Sequence, residues 1–115
     1  MQILLTGKAS IYDEIVDSIK KYITIGALKE GEKLPSVREL ALSLGVNPNT
    51  VARAYEVLSK EGYVLSLPKK GFFVAPKKSD KNEAFRVLLK AALKEGTTAD
   101  EIRQILSEIE QEAKS

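Results

Sequence analysis

Leu34 to Gly62 reads L-P-S-V-R-E-L-A-L-S-L-G-V-N-P-N-T-V-A-R-A-Y-E-V-L-S-K-E-G and predicts two short helices joined by a tight turn. Ser36 is an N-cap residue, and Glu39 three positions on completes a capping box by reaching back to the Ser36 N–H. Leu40, Ala41 and Leu44 form the apolar stripe of this helix. Gly45 supplies the left-handed residue at its end, after which Val46 packs the turn against the core. Asn47 suits the cap of the second helix and Pro48 its first position. Val51, Ala54, Tyr55 and Leu58 then recur at helical spacing until Gly62.

With Val51 inward and about 100° per residue, Asn49, Arg53, Glu56 and Lys60 point away from the core. A helix-turn-helix that reads DNA needs this arrangement. Its apolar side holds the second helix on the first, and polar side chains near the N-terminus reach base edges in the major groove. Asn47 and Asn49 suit adenine edges, and Arg53 suits guanine or a phosphate. An ordinary helical hairpin with a solvated polar face carries the same local signals.

Three blocks add to this reading: L-P-S-V-R-E-L-A, G-V-N-P-N-T-V-A-R-A-Y and the later G-F-F-V. In that order and spacing they resemble the winged helix-turn-helix domain of the GntR family of bacterial transcription regulators over roughly Ser10 to Val74. The short tail is most similar to the YtrA-type branch. The resemblance implies a DNA contact for Arg38, which with Ser36 lies in the first turn of its helix, where backbone N–H groups can also meet a phosphate.

The 115 residues suffice for one compact domain and an appendage. A net charge of +2 requires any basic footprint to be local. The sequence contains no cysteine and no histidine. Disulfides, thiolate metal sites and the commonest general base are thereby excluded. No glycine-rich phosphate loop or metal-ligand cluster appears, so neither a cofactor nor enzymatic activity is expected. No apolar run approaches a membrane span, and the expected location is the cytoplasm.

Upstream, Gln2–Thr6 is a short apolar run that suits a strand or a packed arm. Ser10 caps a helix whose broad face carries Ile11, Tyr12, Ile15, Val16, Ile19, Tyr22 and Ile23, with Gly26 as its stop. Its S-I-Y-D-E-I start matches the family's P-I-Y-x-Q-I, with serine in place of proline. Lys29–Pro35 is a loop anchored by Leu34.

Downstream, Tyr63–Leu65 and Phe72–Val74 read as strands of a hairpin, the wing, around S-L-P-K-K-G. Lys69, Lys70 and Gly71 at its tip would meet the DNA backbone. The common family pattern here is G-x-G-T-[FY]-V. This chain carries Lys69 for the first glycine and Phe72 for the threonine, which favours charge contact over close backbone approach. Many relatives carry arginine at the position of Ala52 and a basic residue at that of Pro48. Base readout is therefore expected from Asn47, Asn49, Thr50 and Arg53.

Pro76–Lys81 reads as a polar linker. Two helices follow. The first has an apolar face of Phe85, Val87, Leu88, Leu89, Ala92 and Leu93, and the second, capped by Thr98 and Glu101, has a stripe of Ile102, Ile105, Leu106 and Ile109. Glu108–Ser115 is acidic and expected to fray. The expected fold is mainly α with a small β-hairpin. Residues 1–75 form a winged helix-turn-helix domain and 76–115 a linker with a two-helix dimerisation tail. The tail helices either fold back on the first helix or meet a second chain. A homodimer is preferred because it reads two half-sites of a palindrome.

The function expected is therefore a repressor binding an operator in double-stranded DNA. A winged-helix module that binds a protein instead is the alternative, since fold does not fix function. A small-molecule effector could bind between tail and winged domain, but no motif selects one.

Overall fold

The computed structural model describes residues 1–77 and 81–114. It contains α1 (Ile11–Thr24), α2 (Val37–Leu44), α3 (Pro48–Lys60), β1 (Val64–Leu67), β2 (Gly71–Val74), α4 (Lys81–Lys94) and α5 (Ala99–Lys114). The expected mainly helical fold with a single hairpin is present. Lys78, Ser79 and Asp80 of the expected linker lie outside the described residues, as does Ser115, and Lys81 already belongs to α4.

Local chemistry sets the helix ends as the sequence requires. The Ser36 side chain accepts from the Glu39 N–H at 3.0 Å, and the Ser36 N–H donates to the Glu39 carboxylate at 3.1 Å. Gly45 ends α2 at φ 67°, and the Val46 N–H reaches the Ala41 carbonyl at 3.0 Å, the 6→1 bond of a Schellman turn. The Asn47 side chain accepts from the Asn49 N–H at 2.8 Å and caps α3.

The main core lies between α1, α2 and α3, where Ile15, Ile19, Val51, Ala54, Tyr55 and Leu58 are closed to solvent. Leu34 anchors the preceding loop beneath them. Ile11 departs from the expected apolar face. It is the first residue of α1 and is exposed.

The N-terminal run is a packed arm. Ile3 is buried in the core, and the Tyr22 hydroxyl donates to the Gln2 carbonyl. The Thr6 and Gly7 N–H groups converge on the Glu14 carboxylate at 2.6 and 3.0 Å. These bonds anchor the arm to α1 of its own chain.

The wing pairs antiparallel in the register Val64↔Val74, Leu65↔Phe73, Ser66↔Phe72 and Leu67↔Gly71. Both strands run one to two residues closer to the tip than the sequence suggests. Lys69 adopts φ 66°, and the Lys70 N–H closes the turn on the Leu67 carbonyl at 3.0 Å. Proline followed by a positive-φ residue suits a tight turn here. Alternation gives the hairpin two apolar faces. Val64 and Val74 close the helical core, while Phe73 turns outward with Leu65 and Leu67. The Glu30–Leu34 segment flanks β2, with a bridge from Lys33 to Phe73 and bonds from Gly31 N–H to Val74 O and from Leu34 N–H to Phe72 O.

The outward face of the wing receives α4 through Val87 and Ala91. The single apolar face expected for α4 is thus divided. Val87 and Ala91 serve the wing, while Phe85, Leu89 and Leu93 remain between 45% and 59% exposed. Leu88 is half-buried and Ala92 buried. The fold-back on α1 does not occur, because the outer face of the wing presents the apolar surface that α4 covers. In α5, Ile105, Leu106 and Ile109 are about half exposed, and no residue is buried. The stretch from Glu108 expected to fray is helical as far as Lys114. A Gln104–Glu108 bond at 3.3 Å bridges its middle turns, and Lys114 complements the negative end of the helix dipole.

Candidate nucleic-acid interface

The cap and first turn of α3 combine a fixed backbone with exposed asparagine side chains. Asn47 spends its carbonyl oxygen on the cap and keeps its amide donors, and Asn49 is exposed one residue into the helix. Thr50 is half-buried beside them, and Arg53, Glu56 and Lys60 are exposed along the same outer side. The opposite side of α3 is wholly enclosed, so the helix cannot roll without opening the core. Glu56 and Lys60 pair with each other at 3.3 Å. Arg53 is held differently, with its guanidinium carbon 5.0 Å from the centre of the Tyr12 ring on α1.

Tyr55 ties the helix-turn-helix to the wing. Its ring meets Phe72 of β2 edge-on, with centroids 5.0 Å apart and planes at 72°. Its hydroxyl donates to the Pro35 carbonyl at 2.8 Å, just before the α2 cap. Burial, with a smaller contribution from Glu39, pushes its phenol well above the ordinary tyrosine value, so it stays a neutral donor. A single side chain therefore connects α3, the entry to α2 and the wing.

At the start of α2, Ser36 is engaged in the capping box and Arg38 is exposed. The Ser36 backbone and side-chain hydrogen bonds hold the Glu39 carboxyl below its ordinary value, with a smaller effect from Lys33. At the wing tip, Lys69 is exposed, whereas Lys70 is half-buried and donates to the Glu95 carbonyl at 3.2 Å. The Glu95 carboxylate meanwhile pairs with Lys33 at 2.8 Å. Gly71 is needed at its place. At φ 129°, a Cβ there would come within 3.2 Å of the Lys33 side chain.

The structure thus brings Ser36, Arg38, Asn47, Asn49, Thr50 and Arg53 onto the two helix starts, with the wing attached through Tyr55. It draws Lys70 back towards α4. Tyr12, Tyr55, Lys33 and Glu95 are the participants that sequence reasoning did not single out for this site. Their contacts, Tyr55 to Pro35, Glu95 to Lys70, Tyr12 to Arg53 and Lys33 to Glu95, all join positions 20 to 62 residues apart, and no local spacing encodes them. Among the described residues, no group of three or more His, Cys, Asp or Glu side chains could hold a metal ion. No described helix is long and apolar enough to cross a membrane.

Comparison with known proteins agrees with this geometry. The chain is 40% identical over 75 residues to the HTH-type transcriptional repressor YtrA of Bacillus subtilis (strain 168), covering 65% of this chain and 58% of that relative. The structure of YtrA from Sulfolobus acidocaldarius, a GntR-family transcription factor, superposes over 100% of both chains with a TM-score of 0.60 and 38% identity. The AraR DNA-binding domain in complex with operator ORR3 covers 65% of this chain and 93% of its own, with a TM-score of 0.54 and 27% identity. Residues 11–74, from the first residue of α1 to the last of β2, match the family described as bacterial regulatory proteins, gntR family. The match spans more than half of the sequence, and the protein belongs to the GntR family.

Proposed function

We propose that this chain is a sequence-specific DNA-binding transcription regulator, acting as a repressor, and that it binds a palindromic operator as a homodimer. Residues 1–75 would read DNA and residues 76–115 would carry the dimer contact. The observation that supports this most is α3 itself, whose inner face is closed while Asn49 and Arg53 stay exposed on the outer one. Base readout falls to Asn47, Asn49, Thr50 and Arg53. Ser36, Arg38 and Lys69 supply phosphate contacts, and Lys70 and Gly71 shape the wing. The names of the relatives agree, with YtrA described as a repressor and an AraR domain seen with its operator.

Dimerisation through the tail would cover the half-exposed Phe85, Leu89, Leu93, Ile105, Leu106 and Ile109, together with the less exposed Leu88, Ala92 and Ile102. Two recognition helices would then read half-sites about one DNA turn apart. For an effector, this reading offers the open groove of about 610 Å³ between α4 and the Glu30–Lys33 loop, with Arg86 and Lys90 on one wall.

The test is fluorescence anisotropy of the full chain with the duplex upstream of its own gene and a scrambled duplex, over a salt series. Tighter binding to the native duplex, falling steeply with salt, is expected. No binding to either duplex at low salt would overturn the DNA reading and turn the search towards a protein partner.

A further inference from the structure

Arg53 is the one cation on the outer face of α3 near its N-terminus, and its surroundings are unusual for a surface arginine. Four ion pairs are present among the described residues, and Arg53 takes part in none of them. The nearest acid along its helix, Glu56, is occupied by Lys60 at 3.3 Å. What Arg53 has is a ring: the Tyr12 side chain of α1 lies with its centroid 5.0 Å from the guanidinium carbon. That distance is within the range of a cation–π contact.

The choice of ring over carboxylate has a chemical consequence. A carboxylate partner would bind the guanidinium through its edge, consuming two parallel N–H donors. An aromatic partner attracts the cation through the ring face and leaves N–H donors without acceptors. Those donors are the ones a guanine edge or a phosphate would take up. Tyr12 is itself fixed, being half-buried against the core at the start of α1 while Ile15 and Ile19 below it are closed to solvent.

We propose that Tyr12 is a positioning residue for DNA recognition, and that its ring restrains the Arg53 guanidinium with donors free for the nucleic acid. The inference rests on the DNA-binding reading above. An unrestrained arginine loses rotamer freedom when it binds, at about 0.5–1.5 kcal/mol for each immobilised side chain. The stack removes part of that cost in the free protein. Converted at 1.4 kcal/mol per tenfold, removal of the ring should weaken cognate binding by about two- to tenfold.

The experiment uses the full chain and the tightest duplex that it selects from a random-sequence pool. Affinities are measured for the unmodified chain, Tyr12→Phe, Tyr12→Leu, Arg53→Ala and the double variant Tyr12→Leu/Arg53→Ala. Tyr12→Phe keeps the ring and should bind within about twofold of the unmodified chain, whereas Tyr12→Leu should lose about two- to tenfold. In the Arg53→Ala background, Tyr12→Leu should cost nothing further, because the group that the ring positions is gone. A second series replaces Tyr12 with phenylalanine carrying increasing numbers of ring fluorines. These preserve shape and packing while emptying the ring face, so affinity should fall stepwise only when Arg53 is present.

An equal loss from Tyr12→Leu in both backgrounds would make Tyr12 a packing residue and overturn the proposal. Unchanged or tighter binding by Tyr12→Leu, or indifference to fluorination, would overturn it as well. Failure of the unmodified chain to select any duplex would remove the DNA reading itself, and this inference with it. Selection by the unmodified chain followed by equal affinities across the Tyr12 series would remove only the inference.

Discussion

α3 and α5 carry comparable apolar stripes, with residues at helical spacing and polar side chains on the remaining surface, yet they end in opposite environments. Val51, Ala54, Tyr55 and Leu58 of α3 are fully closed by α1, α2 and the wing. Ile105, Leu106 and Ile109 of α5 are about half exposed, and that helix buries no residue. Amphipathicity states that a face is to be covered; it does not state by what. In α3 the cover is the same chain. In α5 it is absent from the single chain, and the proposed dimer supplies it. α4 lies between the two cases, with one seam on the wing and another open.

The same substitution made on both sides gives the sharpest test of this contrast. Leu58→Ala removes three carbon atoms from a closed site and should cost about 2–5 kcal/mol of unfolding free energy. Leu106→Ala should change the stability of the single chain by no more than about 0.5 kcal/mol, as expected for an exposed position. It should instead weaken self-association, read by sedimentation equilibrium over a concentration series. Comparable losses of stability in the two variants, at a concentration where the chain is monomeric, would show that α5 packs on its own chain in solution.

How far the sequence could be read follows the same division. The capping box at Ser36 and Glu39, the left-handed Gly45 and the Asn47 cap lie within a few residues of their partners, so spacing alone specifies them. The candidate site was legible to the same extent, because Asn49 and Arg53 leave the core by helical periodicity. Contacts between distant parts of the chain were not. Tyr12 on Arg53, Lys33 beside Phe73 and Lys33 on Glu95 depend on how finished elements pack. The division of α4 was hidden for another reason. Phe85, Val87, Leu88, Leu89, Ala91, Ala92 and Leu93 span an arc too wide to assign one direction, and only the outward Phe73 of the wing selects Val87 and Ala91. Lys70 shows the same limit: a lysine at the wing tip reads as a contact to the DNA backbone, but here the carbonyl of Glu95 draws it back.

A smaller effect probes the joint between the two regions. Lys33 and Glu95 join the loop before α2 to the end of α4 at 2.8 Å, with both side chains partly exposed. Glu95→Ala removes this pair and keeps the backbone carbonyl that accepts from Lys70. The expected loss is about 0.2–1 kcal/mol, measured by urea denaturation, and it should shrink as salt is raised. A loss that persists at high salt would assign the contribution to the packing of the Lys33 and Glu95 stems.

The smallest effect is a dependence on pH, and it belongs to the winged region. Thr6 holds the Glu14 carboxyl below its ordinary value, mainly through its hydroxyl and then through its backbone N–H, with a further bond from Gly7. The Ser36 backbone and hydroxyl do the same for Glu39. In both cases the folded chain binds a proton less readily than the unfolded one. The stability gained is therefore fully present above the ordinary glutamate range and is lost as the pH falls through the lower, folded-state values. Glu39 is exposed and Glu14 only half-buried, so the effect is a modest slope rather than an acid transition. Glu39→Gln keeps a side chain that can complete the capping box and removes the titration. Chemical denaturation of this variant from neutral to acid pH, at fixed protein concentration, should show a flatter decline than the unmodified chain. Parallel declines would mean that the cap on α2 gives Glu39 no preference for its charged form. The acid sensitivity would then have to come from other carboxylates, with Glu14 and the arm that it anchors the first to replace.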